Sequence, residues 1–222
     1  LRSFIDVVVP RGGQSLIDML VKNSQIPVIE SGRGNCHIYV DDSADFDMAE
    51  QIVINAKVQY PSACNAAEKL LVHKSVASAF LPRVIKSLRE NGVEVLGCDR
   101  TTKIVKDVKL ASEEDWYTEY LDLKISVKVV DNVDEAVSHI NKYSTKHSEA
   151  IVTENIENAE KFLRNVDSAA VYHNVSTRFT DGGQFGFGGE LGISTQKTHA
   201  RGPIGLRELT SFKYVIHGDG QL

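Results

Sequence analysis

Cysteine, proline and aromatic residues are scarce in this sequence, and a long hydrophobic run is missing. The 222 residues include three cysteines, five prolines and 7% aromatic residues. An odd number of cysteines cannot all pair, and no CxxC is present, so neither a disulfide framework nor a cysteine-based metal site is expected. No apolar stretch approaches the roughly 18 residues of a membrane span, and the N-terminus lacks a signal-peptide pattern. We therefore predict a cytoplasmic protein without a membrane segment.

An excess of positive charge is also missing. The chain has 25 Lys and Arg against 30 Asp and Glu, which gives a formal net charge of −5. Proteins that bind nucleic acid or an anionic membrane surface carry basic patches, and no basic cluster longer than a few residues occurs here. Nucleic-acid and membrane partners are therefore not predicted, whereas a small anionic substrate needs only local charge. The composition, 42% hydrophobic and 25% charged, is typical of a globular domain.

Short β-branched runs alternate with segments of helical periodicity. The first such unit comprises a strand at 5–9, the turn Arg11, Gly12 and Gly13, a helix at 16–21 and a strand at 27–30. This β-α-β order predicts a parallel sheet, with the glycine turn at the carboxyl edge where ligands of open α/β sheets bind. The turn opens a helix directly after a strand, which makes it a weak candidate for phosphate binding.

The alternation continues along the chain. We predict strands at 37–41, 70–73, 124–130, 149–153, 168–173 and 211–217, and helices at 48–58, 64–69, 75–90, 132–142 and 155–165. Residues 174–205 interrupt the pattern with many glycines, and a loop of this length in a compact domain is usually functional or disordered. Because it carries Arg178, three phenylalanines and His199 at no regular period, we favour a functional loop.

Cys64 is the strongest candidate for a nucleophile. It follows Pro61 and Ser62, where the sequence PSACNAAEKLL is predicted to turn from a loop into a short helix. Amides and the positive dipole end at a helix N-terminus stabilise a thiolate and lower its pKa. A small buried hydrophobe is the commoner fate of a free cysteine, so both interpretations of Cys64 stay open. For Cys36 and Cys98 a packing role is favoured.

Two glutamates, Glu30 and Glu119, are further candidate site residues, although the residues around them are of ordinary composition. Glu30 ends a predicted strand before the turn SGRGN, where a carboxylate is either a general base or a solvated strand-end acid. Glu119 lies in the sequence TEYLDL. The glycine cluster at 182–192 does not match GxGxxG or a Walker loop, and it does not lead from a strand into a helix, so we do not interpret it as a phosphate loop.

Several strings occur together in one order along the chain. They are VVPRGG, GNCHIYVD, ACNAAEKLLVH, TEYLDL, STRFTDGG and GISTQKTHARGP. In this combination the chain resembles the gamma-glutamyl phosphate reductases, a group within the aldehyde dehydrogenase superfamily, and the resemblance covers practically the whole chain. Departures from the family pattern occur at Lys146, Val175, Gly189 and Thr198. Members of the family are about twice as long, so we expect the chain to be cut in mid-domain before Leu1.

The resemblance implies an α/β fold with a mostly parallel sheet in an aldehyde dehydrogenase-like catalytic domain. Residues 1–36 would then be the truncated end of a dinucleotide-binding domain, its last β-α-β piece. Residues 37–206 would form the catalytic domain. Residues 207–222, including the sequence SFKYVIH, resemble the C-terminal strand that serves as an oligomerisation arm in the superfamily, so a homo-oligomer is expected.

The resemblance also implies an activity. Cys64 matches the nucleophile of the superfamily, Glu30 the general base of its hydrolytic members, and Glu119 the glutamate that holds the nicotinamide ribose. The implied reaction is NADPH-dependent reduction of L-glutamyl 5-phosphate to L-glutamate 5-semialdehyde and phosphate, through a cysteinyl thioester, in proline biosynthesis. Arg11, Gly12 and Gly13 are the further candidates for cofactor binding.

Recognition of such a substrate needs partners for a carboxylate, an ammonium and a phosphate. The predicted binding residues are Ser176, Thr177, Arg178 and Asp181, with His199 and Arg201 as second choices. Arginine binds carboxylate or phosphate through two parallel hydrogen bonds, and aspartate can pair with an ammonium. A salt-bridged structural loop is the alternative for each of these residues.

Two other functions stay open at this point. The chain could be a catalytically incomplete fragment that binds substrate or oligomerises without holding NADPH. It could also be a cysteine hydrolase in which Cys64 works with a remote histidine, since the sequence contains seven histidines.

Overall fold

A parallel sheet of seven strands forms the centre of the computed structural model, which describes residues 2–222 apart from the side chain of Gln14. The strands are β1 (Cys36–Val40), β2 (Ala67–His73), β3 (Glu94–Gly97), β4 (Lys109–Leu110), β5 (Lys124–Val130), β6 (Ser148–Val152) and β7 (Ala170–His173). Their order across the sheet is β4-β3-β5-β2-β1-β6-β7. Every neighbouring pair is parallel, so the predicted α/β fold with a mostly parallel sheet is confirmed.

Helices cover both faces of this sheet. The described helices are α1 (Gln14–Asn23), α2 (Phe46–Val58), α3 (Lys74–Glu90), α4 (Asp99–Ile104), α5 (Glu113–Tyr117), α6 (Val133–Tyr143) and α7 (Ile156–Asn165). Of these, α2 and α3 pack on one face, and α6 and α7 pack on the other. Successive side chains of a strand point to opposite faces, so Leu70 packs with α2 and α3 whereas Leu71 packs with α6 and α7. Because both faces are covered, the central strands contain consecutive apolar residues, as at 38–40, 70–72 and 150–152, and such runs make their positions predictable.

The helix predicted at 64–69 is wrong. Residues 61–66 form consecutive turns, and β2 already begins at Ala67. The residues AAEKL favour a helix locally, but β2 hydrogen-bonds to β1 on one side and to β5 on the other. This pairing in the middle of a sheet outweighs a helix propensity of a few tenths of a kcal/mol per residue. The structure also contains β3, α4, β4 and α5, which have no counterpart among the ranges given above.

The predicted strands at both ends of the chain are much reduced. At the N-terminus a single parallel bridge joins Val8 to Val28 around α1, in place of strands 5–9 and 27–30. Residues 211–217 make no ladder with any other residue in the described range, so their predicted strand is not formed within this chain. The long loop contains one 3₁₀ turn, Thr177–Phe179, and one short antiparallel pair, Ile193–Ser194 with Gly202–Pro203.

None of the described helices combines the length and the apolar character that crossing a bilayer requires. The segments that enter the central strands lie at the amino edge of the sheet. Gly34 precedes β1, Cys64 precedes β2, and Glu119 precedes β5. Since β5, β2 and β1 are neighbours, residues distant in sequence meet at this edge.

Three histidines are buried in the described part of the chain: His37, His139 and His147. Nδ1 of His37 lies 3.1 Å from Oε2 of Glu149, and both side chains are fully buried. Burial lowers the pKa of His37 well below its ordinary value, that of His139 to about 2 and that of His147 to about 4. Burial also raises the pKa of Glu149 to about 8. Burial therefore favours the neutral form of each of these groups.

This cluster predicts a loss of stability on acidification. Below about pH 6.5 the histidines of the unfolded chain take up protons, whereas the buried histidines of the folded chain stay neutral. The stabilisation from each buried histidine is complete above that pH, and below it up to about 1.4 kcal/mol of unfolding free energy is lost per pH unit and per histidine. Glu149 has the opposite effect, because the stabilisation it provides is lost as pH rises through about 8. It therefore makes the net dependence of the unfolding free energy on pH shallower. We expect His139→Phe to reduce the loss of unfolding free energy between pH 7 and pH 5, measured by urea denaturation.

Val137→Ala supplies the control, because Val137 is buried on the same helix as His139 and carries no titratable group. It should lower the unfolding free energy by the same amount at pH 7 and at pH 5. Equal slopes for His139→Phe and the parent chain would contradict the assignment of this proton uptake to His139.

Candidate active site

A cleft of about 620 Å³ opens at the amino edge of the sheet. Its walls are formed by Gly12, Gly13, Ile17, Ser31, Gly32, Arg33, Ser62, Cys64, Glu114, Tyr117, Thr118, Glu119 and Leu121. The structure thus brings four of the predicted site residues together, namely Cys64, Glu119, Gly12 and Gly13. They come from three separate parts of the chain.

Cys64 is half-buried in the turns that lead into β2. The Ala63 amide donates to the Tyr60 carbonyl at 3.1 Å, and the Ala66 amide to the Ala63 carbonyl at 2.9 Å. The Cys64 carbonyl oxygen accepts a hydrogen bond from the Cys36 thiol at 3.3 Å. A Cβ added to Gly34 would lie 1.2 Å from the same oxygen, so the backbone at 34 has to be glycine for this approach.

Gly34→Ala is therefore expected to displace the turn that carries Cys64. The added methyl group meets backbone atoms, which yield less readily than a flexible side chain, so we expect a loss of about 1–3 kcal/mol in unfolding free energy. Denaturation in urea measures it. Gly189→Ala is the control, because a Cβ there meets nothing within 4 Å. Equal stability of the two variants would contradict the close approach of Gly34 to Cys64.

The electrostatic surroundings do not make the Cys64 thiol acidic. Burial, followed by the negative charges of Glu119 and Glu190, raises its pKa to about 11. The backbone amide of Cys64 itself and the Arg178 guanidinium act in the opposite direction. The prediction of a pKa lowered by a helix N-terminus is thus wrong, because the segment is a pair of turns without aligned helical amides. At neutral pH the sulfur is held as a thiol.

The raised pKa predicts slow alkylation with a steep pH dependence. Since the thiolate is the reactive form, iodoacetamide labelling of Cys64 should accelerate about tenfold per pH unit from pH 7 to pH 10, without a plateau. Glu119→Gln removes the larger of the two negative charges that raise the pKa of Cys64. It should therefore lower that pKa and speed labelling at pH 8. Mass spectrometry of the peptide that contains Cys64 measures the rate, with the Cys98 peptide as an internal control. A plateau below pH 9 would contradict this environment.

Glu119 lines the same cleft as the glycine turn. Its Oε1 accepts a hydrogen bond of 2.6 Å from the amide of Gly34. Gly34 therefore touches both the carboxylate of Glu119 and the carbonyl of Cys64, and it fixes the spacing between them.

Glu30 and Arg11 are absent from the described residues that line the cleft. The Glu30 amide donates to Oε1 of Gln196 at 3.1 Å, and the next residue, Ser31, lines the cleft. A Cβ on Gly192 would lie 2.6 Å from Nη1 of Arg11, which places that guanidinium against the glycine-rich loop.

A second cleft, of about 350 Å³, collects three predicted substrate residues. Its walls are Asn55, Gln59, Ser176, Arg178, Phe179, Asp181 and Gln184. Nε of Arg178 donates to Gln59 at 3.0 Å, and Nη1 donates to Oδ1 of Asn65. The guanidinium also lies 5.9 Å from the centre of the Tyr60 ring. Its Nη2 makes no hydrogen bond with the described residues. Because Asn65 follows Cys64, Arg178 connects this second cleft to the thiol.

The other predicted substrate residues are placed differently. Thr177 is fully buried, and its hydroxyl has no partner among the described residues. Nε2 of His199 lies 2.7 Å from the Glu208 carbonyl oxygen. Arg201 pairs with Asp167 at 2.7 Å. The structure does not bring His199 or Arg201 to Cys64, and their role in substrate binding stays a prediction.

Sequence reasoning missed three residues that organise the site. Asn65 holds Arg178 and donates to the Thr180 carbonyl at 2.8 Å. Glu190 accepts a hydrogen bond of 2.7 Å from the Gly182 amide and adds negative charge near the thiol. Gly34 spaces Cys64 from Glu119. The two glycines of SGRGN were the available signal for the third, whereas no local pattern marks the other two.

Comparisons with known proteins agree with this arrangement. Residues 125–215 match the model of the aldehyde dehydrogenase family. Gamma-glutamyl phosphate reductases from Caldanaerobacter subterraneus and Clostridium acetobutylicum are each 64% identical to this chain over 222 residues, which is 100% of the chain and 54% and 53% of those proteins. The chain thus spans about half the length of these relatives.

The solved structures include a close neighbour. The crystal structure of gamma-glutamyl phosphate reductase from Thermotoga maritima superposes with a TM-score of 0.97 at 60% identity, covering 100% of this chain and 54% of that one. The resemblance inferred from the sequence strings is therefore confirmed, and along its entire length this chain is a relative of the gamma-glutamyl phosphate reductases of the aldehyde dehydrogenase family.

Proposed function

We propose that this chain carries the nucleophile and the substrate-binding loop of an NADPH-dependent reductase that converts L-glutamyl 5-phosphate to L-glutamate 5-semialdehyde and phosphate. The observation that carries the proposal is the convergence of Cys64 and Glu119 on one cleft, with Arg178 tied to the residue after the thiol. Chains 64% identical to this one are named gamma-glutamyl phosphate reductases, which supports a place in proline synthesis.

The cleft fits part of a nicotinamide dinucleotide. A Cβ on Gly13 would meet nothing within 4 Å, so the start of α1 offers open space to a bound group. The Glu119 carboxylate borders the same cleft and is suited to accept hydrogen bonds from ribose hydroxyls. When bound, the dinucleotide supplies a hydride. The preference for NADPH follows from the family resemblance.

The chain's own chemistry is acyl transfer to Cys64. Its sulfur attacks the carbonyl carbon of the acyl phosphate, an S–C bond forms, and the C–O bond to phosphate breaks. The thiol proton is taken by the departing phosphate, so the products are a thioester and hydrogen phosphate. The backbone amide of Cys64 lowers the pKa of its thiol, and it is a candidate donor to the developing oxyanion. No water attacks the thioester in the reductive direction, so Glu30 is not needed there as a base.

The second cleft is suited to the amino-acid end of the substrate. Arg178 would bind the α-carboxylate through Nη2, because Nε and Nη1 already donate to Gln59 and Asn65. Asp181 would pair with the α-ammonium, although its Oδ1 already accepts a hydrogen bond of 2.9 Å from the Gln184 amide. The hydroxyl of Ser176 lines the same cleft and is a further candidate, whereas the buried Thr177 does not reach it in this arrangement.

A half-reaction tests the acyl transfer without cofactor. Freshly prepared L-glutamyl 5-phosphate should release about one equivalent of phosphate per chain and add a glutamyl group to the Cys64 peptide. Phosphate assay and mass spectrometry of digests measure the two events. Cys64→Ala should abolish both, and Cys98→Ala should leave both intact. Continuous phosphate release without cofactor, above the spontaneous rate and lost in Cys64→Ala, would instead indicate a cysteine hydrolase. No adduct at all would indicate a chain that is catalytically incomplete.

We also propose that the C-terminal segment pairs with a second copy of the chain. Its apolar side chains are unusually open to solvent, with exposed fractions of 80% for Phe212, 82% for Tyr214, 66% for Val215 and 88% for Ile216. An extended segment of this kind, without a ladder inside the described chain, is typical of a strand that is completed by another subunit.

A further inference from the structure

Three charged side chains are fully buried beside the candidate site. They are Lys57 on α2 and the neighbouring residues Glu68 and Lys69 on β2. Nζ of Lys57 lies 3.3 Å from Oε1 of Glu68. Removing charges from water costs several kcal/mol per ion unless close partners compensate, so such a group in a sheet needs an explanation. None of the three belongs to the walls of the clefts described above.

An irregularity in the sheet brings Glu68 and Lys69 to one place. Along the β1–β2 ladder, Cys36 is the partner of Ala67, and His37 is the partner of Lys69, so the register skips Glu68. In a regular strand, two successive side chains point to opposite faces. An extra residue in a strand changes the direction of the side chains around it, and here both Glu68 and Lys69 contact the segment 118–121.

The contacts with this segment involve almost every residue in it. Nζ of Lys69 donates to the Thr118 carbonyl at 2.7 Å and lies 4.5 Å above the Tyr120 ring. The Glu68 carboxylate accepts the amides of Tyr120 at 3.1 Å and Leu121 at 3.3 Å. Leu121 has a φ of 55°, a left-handed conformation that a leucine adopts only when its surroundings hold it there.

Glu119 is the residue of the segment whose side chain reaches across to Gly34. Thr118, Glu119 and Leu121 all line the cleft, and Oε1 of Glu119 meets the Gly34 amide at 2.6 Å. A continuous set of contacts therefore runs from Lys57 through Glu68 and the segment 118–121 to Gly34, and from Gly34 to the Cys64 carbonyl.

We propose that Glu68 and Lys69 are positioning residues that fix the segment 118–121 and thereby orient the Glu119 carboxylate against Gly34. This inference rests on the proposed function, in which Glu119 holds the ribose of the dinucleotide. Burial lowers the pKa of Lys69, and the negative charge of Glu68 acts in the opposite direction.

The test is Glu68→Gln in the protein that carries this chain, expressed at its natural length. Glutamine keeps the size of the side chain but offers one carbonyl oxygen in place of two carboxylate oxygens. We expect hydrogen exchange at the Gly34 amide to accelerate about tenfold or more, because Glu119 no longer holds it. We expect the KM for NADPH to rise about tenfold while the KM for L-glutamyl 5-phosphate changes less than about twofold.

Glu149→Gln is the matched control. Glu149 is also a fully buried carboxylate, but it accepts from the His37 amide at 2.7 Å and contacts Ser144 and Ser168 instead of the segment 118–121. It should leave both Gly34 exchange and the KM for NADPH unchanged. An equal change in the two variants would show general loosening and overturn the proposal, and so would unchanged Gly34 exchange in Glu68→Gln.

Lys69→Met covers the case in which Glu68→Gln does not fold. It removes the bond to the Thr118 carbonyl and leaves the Lys57–Glu68 pair intact, so the same acceleration at Gly34 is expected. Unchanged exchange in this variant would also overturn the proposal.

Glu119→Gln separates this inference from the proposed function. If Glu119→Gln leaves the KM for NADPH unchanged, the ribose role of Glu119 fails, whereas faster Gly34 exchange in Glu68→Gln still supports positioning. If both single variants raise the KM, the double variant should match Glu119→Gln alone, because Glu68 acts through Glu119. Additive effects would overturn the proposal.

Discussion

The close approach of two backbone segments at the amino edge of the sheet determines the geometry of the site. The segment entering β1 passes over the Cys64 carbonyl at a distance that leaves no space for a Cβ at Gly34. The Cys36 thiol donates to the same carbonyl from the first residue of β1. Since β1 and β2 are paired along their length, the position of Cys64 is set by the sheet itself. Glu119 is then spaced from the thiol by its bond to the Gly34 amide.

A thiol with a pKa of about 11 is a weaker nucleophile at neutral pH than an activated one, but the cost is limited. Relative to an ordinary thiol about two units lower, the thiolate fraction falls about a hundredfold, while the nucleophilicity of each thiolate rises about eightfold. The net penalty is about tenfold. An acyl phosphate carries a good leaving group, so this environment is compatible with the proposed chemistry and would be a poor one for cleaving an amide.

The sequence predicts the parts of this fold that depend on local pattern. The apolar runs of β1 and β5 and the helix capped by Asp45, whose carboxylate accepts the Met48 amide at 2.8 Å, lie where periodicity places them. The segment after Cys64 departs from prediction, since pairing with β1 and β5 decides its structure. The meeting of Cys64 with Glu119, 55 positions later, depends on the strand order β5-β2-β1. No spacing rule contains that order, so only the family resemblance indicated it.

Stability alone does not explain the buried charges near the site. A buried ion pair is often replaceable by apolar residues of similar volume without loss of stability. Apolar side chains would not accept the amides of Tyr120 and Leu121, however, and a leucine at φ 55° would then relax toward a common conformation. The polar groups of β2 therefore specify one conformation of a strained segment. What they stabilise is the direction of a carboxylate in the cleft, which an apolar core would leave undefined.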